Sequence, residues 1–351
     1  MSDQTKKRTR GRGKSIGPTS SDVAELAGVS RSTVSRTFTP NTSVDPETKA
    51  RVMQVAQQLG YAPHQVARSL ISGRSDTIGL VLASPSNPFY GLVLEGFLQH
   101  FQRHNLRVMC YLAPTLDDVE IGMRAMLQYK VDAMIVAASG LTSEAVTDCR
   151  RNGVPVILFN RSISSESVPT VQTDNVRSSK MMAEFLVRGG HSSIAYVNGL
   201  EMSSTNRDRL RGFTEGLAQM GLEPPIQEYG DFSYEGGREA AKRLMMSATP
   251  PDAIFCANDV MALGVLDCLK NELGISVPDD VSVTGFDDIP MAGWSSFNLT
   301  TVRQRRTQMI VAAIDLLDQL LAGEVVEAPT VLIEGRLILR GSARLPSSLP
   351  S

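Results

Sequence analysis

Four polar side chains crowd one short segment: Arg31, Ser32, Ser35 and Arg36, within Ser30-Arg31-Ser32-Thr33-Val34-Ser35-Arg36. On the first turns of a helix, short hydroxyls and guanidinium forks are what the edges of bases in a DNA major groove can be read with. A second set is scattered over two hundred residues, at the ends of short apolar runs or where the next helix opens: Asn87-Pro88-Phe89-Tyr90, Asn160, Asn206-Arg207-Asp208-Arg209, Phe232, Asn258-Asp259 and Phe286-Asp287-Asp288. Asp and Asn accept from adjacent hydroxyls, Arg donates a planar fork to a hydroxyl pair or carboxylate, and an aromatic face covers the apolar side of a sugar ring. That is the chemistry of saccharide recognition.

Other chemistries lack the residues to carry them. His100 and His104 have the spacing of a helical metal pair, but no Glu follows the first and the stretch 99–105 reads as a solvated helix end. His191, in Gly189-Gly190-His191, has no neighbour that would make it a catalytic base. The chain has no glycine-rich phosphate loop, no nucleophile elbow and no partnered carboxylate dyad, so neither an enzyme nor a cofactor or metal is expected.

The first polar set needs a scaffold, and the residues around it supply one. A helix is predicted from about Ser20 to Ala27, with Thr19 and Asp22 as a capping pair and Gly28 able to take the φ > 0 stop. Ser30 caps a second helix from Arg31, and Val23, Leu26, Ala27, Val29 and Val34 form the seam between the two. A third helix spans 45–59, with Asp45 as cap, Pro46 at the first position and Val52, Val55, Ala56 and Leu59 on one face. Gly60-Tyr61 closes it, and Ala62-Pro63-His64-Gln65-Val66-Ala67-Arg68-Ser69-Leu70 follows.

From about residue 19 to its end, the chain resembles the lac repressor family of bacterial transcription regulators. The resemblance implies a helix-turn-helix head over 19–62, a hinge helix or linker over 63–75, and a two-lobed effector-binding core over 76–351. The candidate DNA contacts are then Thr19, Ser30, Arg31, Ser32, Thr33, Ser35 and Arg36 in the head, with Ala67 and Leu70 in the hinge. His64–Ser72 is too short to hold a helix alone. The resemblance implies that two copies fold together over the operator centre, with Leu70 wedged into the minor groove and Ala67 allowing close approach. His64 replaces an Asn of the lac repressor.

Charge agrees with that division. The 351-residue chain is 42% hydrophobic and 21% charged, with a formal charge of −2. Residues 1–74 nevertheless carry twelve Lys/Arg against five Asp/Glu, and the remainder is net acidic. A basic head on an acidic body turns the head towards phosphates. Residues 1–18, nearly all polar, read as a disordered basic arm. No apolar stretch follows it, no run is long enough to span a membrane, and Cys110, Cys149, Cys256 and Cys268 are scattered, as reduced core thiols of a cytoplasmic protein would be.

Beyond Thr77, apolar runs alternate with amphipathic stretches. Strands are predicted at Thr77–Ala83, Arg107–Leu112, Ala133–Ala138 and Pro155–Asn160, then at Ile194–Asn198, Ile226–Tyr229, Ala253–Ala257 and Val281–Phe286. Helices fill the intervals, at Tyr90–His104, Val119–Tyr129 and Ser143–Arg151, then at 176–188, 206–220, 234–247 and 260–273. Such alternation makes right-handed βαβ units and parallel sheets, here α/β in two series. The helix 307–322 and a strand 330–339 come last. The resemblance implies a periplasmic-binding-protein-like core with three crossovers, lobe one at about 76–173 and 305–329, lobe two at about 174–304 and 330–345.

It also implies that Arg209, Asp287, Asn258 and Phe232 match effector contacts, to which Phe89 and Asn160 are added as strand-end candidates. Asn160 stands where the lac repressor has an Asp, which argues against the same galactoside. Asp259 and Asp288 are expected to cap helices, and Trp294 to meet a second subunit. The expected protein is a homodimeric repressor released from operator DNA by a sugar or sugar acid. A purine-type co-repressor that strengthens DNA binding is the alternative within the family, and a sugar receptor without DNA function the one outside it.

Overall fold

The structure, a computed structural model, describes residues 17–39, 42–62, 74–83, 87–138, 142–163, 168–326 and 330–346. Its contacts divide the chain into two units between Ser75 and Asp76. The basic arm up to residue 16 and the hinge segment 63–73, with His64, Ala67 and Leu70, lie outside the described residues, as do Ser84, Pro85 and Ser86.

In the first unit, helices α1 (Ser20–Ala27), α2 (Arg31–Thr37) and α3 (Pro46–Leu59) follow from their caps. Thr19 and Asp22 close a reciprocal capping box, the Asp22 carboxylate accepting from the Thr19 N–H at 2.6 Å. Gly28 stops α1 at φ 64°, and the Ser30 hydroxyl accepts from the Thr33 N–H at 3.1 Å to start α2. Asp45 caps α3 through the Thr48 N–H at 3.0 Å. Val23, Ala24, Ala27, Val34, Val52, Val55 and Ala56 are buried together, and Arg51 Nε donates to the Ala27 carbonyl at 3.0 Å to tie α3 to the turn. Leu26 is a correction: it is 61% exposed, and Ala24 is buried in the seam instead.

Because Ser30 both caps α2 and sets the direction of its first turn, Ser30→Ala should cost about 1 kcal/mol locally. Amide hydrogen exchange over Arg31–Thr37 in the full chain should quicken about fivefold, with exchange in α3 unchanged.

The second unit holds two six-stranded sheets. Lobe one contains β1 (Thr77–Leu82), α4 (Pro88–Arg103), β2 (Arg107–Leu112), α5 (Leu116–Gln128), β3 (Ala133–Ala137), α6 (Ser143–Arg151), β4 (Val156–Phe159) and β5 (Thr170–Thr173). Lobe two contains α7 (Asn175–Arg188), β6 (Ile194–Asn198), α8 (Ser204–Gln219), β7 (Ile226–Tyr229), α9 (Tyr234–Met245) and β8 (Ala253–Cys256). It continues with α10 (Asp259–Asp267), β9 (Ser282–Asp287) and β10 (Thr300–Arg303). The chain then returns through α11 (Arg306–Leu321), β11 (Thr330–Ile333) and β12 (Arg336–Ile338).

Strand order is β11-β5-β4-β3-β1-β2 in lobe one and β12-β10-β9-β8-β6-β7 in lobe two. All pairings are parallel except β10 with β12. Both faces of sheet one are covered at its centre, so strands β1, β3 and β4 are apolar along nearly their whole length. Ile78, Leu80 and Leu82 pack with Phe97 of α4, while Val81, Met134, Val136 and Leu158 pack with Met123 and Val146 of α5 and α6.

Three further differences have physical causes. The predicted strand 330–339, assigned whole to lobe two, is two strands: β11 pairs with β5 in lobe one, and β12 with β10 in lobe two, after a crossing at 334–335 where the Gly335 N–H donates to Ser178 Oγ at 3.2 Å. The predicted helix 260–273 is α-helical only to Asp267 and continues as a π-helix, Cys268–Glu272. Three of the cysteines are buried as expected, but Cys110 is exposed on β2, an edge strand.

Candidate effector cavity and nucleic-acid face

Each sheet reverses its strand order beside its first strand, at β1 and at β6, and open parallel sheets bind ligands outside the carboxyl ends of strands at such points. The loops leaving those ends converge on one cavity of about 480 Å³. Lobe one lines it with Ala83, Asn87, Phe89 and Tyr90 after β1, Ala113, Pro114 and Thr115 after β2, and Asn160 and Arg161 after β4. Lobe two adds Leu200, Ser203, Thr205 and Arg209 after β6, Asp231, Phe232 and Ser233 after β7, Asn258 after β8 and Asp287 at the end of β9. All six candidate effector residues therefore border the same space.

Arg209 anchors the wall. It is 2% exposed, with Nε donating to Asn175 Oδ1 at 2.9 Å, Nη1 to the Ala257 carbonyl at 2.5 Å, and its Cζ 3.7 Å from the centre of the Phe286 ring. Its Nη2 lies 3.6 Å from Asp287 Oδ1, an ion pair too long for a hydrogen bond. Asp287 accepts from Gln304 Nε2 at 2.7 Å and from Asn87 Nδ2 at 3.4 Å, so lobe one reaches across to a lobe-two carboxylate. Thr173 in turn donates to Gln304 Oε1 at 2.7 Å. Burial raises the Asp287 carboxyl above its ordinary value, against the pull of Arg209, Gln304 and Asn87.

Asn160 is 3% exposed and its Oδ1 is buried with no hydrogen-bond partner among the described residues. A buried acceptor in a cavity wall is costly unless something donates to it. Backbone strain gathers in the same place. Asn160, Asp231, Phe232 and Asp287 all have positive φ, and the 126° of Asp287 is a region that costs a non-glycine residue about 1–3 kcal/mol. Phe89 is buried edge-on to Tyr90, whose hydroxyl accepts from Arg161 Nη2 at 2.9 Å.

Some expectations about this region are corrected. Asn258, not Asp259, caps α10, its Oδ1 accepting from the Met261 N–H at 2.9 Å. Asp259 is wholly buried, held by the Thr301 hydroxyl at 2.5 Å and the Ile289 N–H at 2.9 Å. Asp288 caps nothing and pairs with Arg303 and Arg340 instead. Sequence reasoning passed over Arg161, Ser203, Thr205 and Gln304; Arg161 had a signal, since it follows a strand-end Asn directly.

Burial, reinforced by the charge of Asp287, pushes the Asp259 carboxyl up to about 7 from 3.8. The folded state then binds a proton that the unfolded state releases, so the contribution to stability is full below 3.8 and is lost as pH rises through about 7. Asp259→Asn keeps both contacts, its amide carbonyl facing the Ile289 N–H and its NH2 the Thr301 oxygen. Melting midpoints at about pH 5 and about pH 8 should fall closer together in this variant than in the parent.

In the first unit, Ser30, Arg31, Ser32 and Arg36 are exposed, while Thr19, Thr33 and Ser35 are half-buried. No carboxylate pairs with Arg31 or Arg36 among the described residues, which leaves both guanidinium groups open to a polyanion. Trp294 is 57% exposed after the 3₁₀ turn Pro290–Gly293. His100 and His104 stack at 4.4 Å, and among the described residues no cluster of His, Cys, Asp and Glu suits a metal ion. No helix of the described residues is long and apolar enough to cross a membrane.

Comparison with known proteins gives two family matches. Residues 19–64 match the bacterial regulatory proteins of the lacI family, and residues 183–343 match the periplasmic binding protein-like domain. The HTH-type transcriptional repressor CytR of Escherichia coli (strain K12) is 31% identical over 331 residues, covering 93% of this chain and 96% of the relative. Among solved structures, a complex of the transcriptional regulator CelR with cellobiose is 29% identical, with a TM-score of 0.70 over 93% of this chain and 100% of that one. The lac repressor dimer bound to operator and the anti-inducer ONPF is 25% identical, with a TM-score of 0.83 over 93% of this chain and 99% of that one.

Proposed function

This chain belongs to the lacI family of bacterial regulatory proteins, and from that premise we propose that it represses transcription until a sugar or sugar acid enters the cavity between its two lobes. It is a regulator with a DNA-binding head and an effector-binding core, and not an enzyme. In this reading Arg31 and Ser32 contact base edges, with Ser30, Thr33, Ser35, Arg36 and Thr19 against base or backbone. Two copies bind a near-palindromic operator in the cytoplasm, with Ala67 and Leu70 of each hinge at its centre.

The observation that carries the effector half is the wall formed by Arg209, Asp287 and Asn160. A fixed fork, a carboxylate and an unpartnered amide oxygen are arranged around a space that Phe89 and Phe232 flank on the apolar side. Hydroxyl-rich rings satisfy such a set, because each hydroxyl both donates and accepts. Asn87 donating to Asp287 joins the lobes, so a ligand that replaces or strengthens that contact changes how the lobes close. Lobe one begins directly after the hinge segment, and its movement passes to the hinge through the backbone.

The test is a melting-temperature screen against pentoses, hexoses, sugar acids, disaccharides and purines. A ligand at about 100 times its dissociation constant adds about 2.7 kcal/mol, a shift of several degrees. A hit among the sugars or sugar acids is the expected result. Response to purines alone, or to nothing in the panel, would remove the saccharide assignment.

A further inference from the structure

A second cavity, of about 550 Å³, lies where the chain passes from β10 back to α11. Four arginines line it, Arg303, Arg305, Arg306 and Arg340, against two carboxylates, Asp287 and Asp288. The carboxylates are already engaged. Arg303 Nε lies 2.5 Å from one Asp288 oxygen and Arg340 Nη2 2.6 Å from the other, while Asp287 is held by Gln304 and faces Arg209. Among the described residues, Arg305 and Arg306 have no carboxylate within ion-pair distance.

Arg306 is half-buried, and burial lowers its guanidinium from the ordinary value, with Glu95 the compensating charge, beyond ion-pair distance. Thr307 and Gln308 bring further donors to the same wall, on a helix whose first turn no side chain caps. The wall therefore holds two more positive charges than negative ones, and its unpaired groups are donors.

We propose that this cavity is a second ligand site, taking a phosphate group between Arg305 and Arg306 with Thr307 and Gln308 as further donors. A dianionic phosphate balances the excess charge and offers tetrahedral acceptors to several donors at once. A single carboxylate matches neither the charge nor the number of donors. The site is separate from the effector cavity but shares Asp287 with it as a wall. Arg303 and Arg340 belong to lobe two, and Leu92, Thr307 and Gln308 to lobe one, so an occupant touches both sides of a lobe crossing.

Isothermal titration of orthophosphate into the full chain tests this, at ionic strength held constant with chloride. The expected result is one saturable site per chain, weakened at least about tenfold in Arg305→Gln/Arg306→Gln, since each removed arginine takes a charge-assisted bond with it. Arg305→Gln alone changes an exposed side chain and should give a smaller loss in the same direction. It carries the test should the double variant fail to fold. Arg211→Gln, which removes an equal charge from the exposed face of α8, should leave binding unchanged. Glycerol 2-phosphate run alongside distinguishes the source. Binding of the ester supports a phosphorylated metabolite, and binding of the free ion alone supports inorganic phosphate. No saturable binding, or equal binding by the parent and both variants, overturns the proposal, the latter because the phosphate would then be held elsewhere.

Discussion

Arg209→Ala should abolish the response to effector while leaving operator affinity within about twofold. Each charge-assisted hydrogen bond contributes about 1.5–3 kcal/mol, so losing the fork should lower effector affinity about a hundredfold or more. The substitution also strips a buried carboxylate of its cation, which commonly costs about 3–5 kcal/mol. Asp287 can escape part of that cost by taking up a proton, since burial already raises its carboxyl. Arg209→Ala/Asp287→Asn removes both charges and should melt above the single variant while remaining unresponsive. Effector titration by melting shift and operator titration by anisotropy separate the two effects. A single variant that still binds effector as the parent does would remove Arg209 from the site.

A large loss of stability that involves no change of charge should come from Gly212→Ala. Gly212 lies one turn beyond Arg209 on α8, where that helix crosses α7. A β-carbon there would sit 2.2 Å from the Val176 carbonyl oxygen and 2.7 Å from its Cα. Both are backbone atoms, so no side chain can rotate away and the helices must separate. Overpacking of this kind costs about 1–3 kcal/mol, and a backbone collision belongs at the upper end. The melting midpoint should fall by about 5–10 °C. Moving α8 also displaces Arg209, and effector affinity should fall with it, which simple destabilisation distant from the site would not cause. Gly91→Ala is the matched control: nothing lies within 4 Å of its added carbon, so the midpoint should hold or rise.

The head was legible because its signals are local. Thr19, Asp22, Gly28, Ser30, Asp45 and Pro46 each fix a helix end through contacts within four residues, and the structure has these helices beginning and ending at those caps. The βα alternation of the core was legible for a related reason, since strands covered on both faces must be apolar along their whole length. Strands β5 (Thr-Val-Gln-Thr) and β10 (Thr-Thr-Val-Arg) gave no such signal. Their threonines are buried, but through partners far away in sequence: Thr173 on Gln304, and Thr301 on Asp259. The split between β11 and β12 had a local mark in Glu334-Gly335-Arg336, which interrupts the apolar run, but the change of pairing partner from β5 to β10 is a tertiary fact that the run itself does not report.

Around the cavity, residues placed at strand ends could be read from the sequence, and Phe89, Asn160, Arg209, Phe232, Asn258 and Asp287 do border one space. What could not be read is how each is held. Asn258 spends its carbonyl on a helix cap, Asp259 turns inward to Thr301, and Gln304 arrives from the far side of a lobe crossing to hold Asp287. The Asn258 cap is local, but the other two arrangements depend on tertiary contacts, over 42 residues from Asp259 to Thr301 and 131 from Thr173 to Gln304, which no local pattern reports.

The central claim is that a saccharide in the core releases the head from DNA. Its most direct test is the affinity of the full chain for an operator selected from random duplexes, followed by fluorescence anisotropy with and without the sugar found by the melting screen. The account predicts that saturating sugar weakens operator binding by about tenfold or more while binding to unrelated duplex stays the same. Operator affinity that is unchanged, or strengthened, by a sugar that clearly binds the core would contradict it.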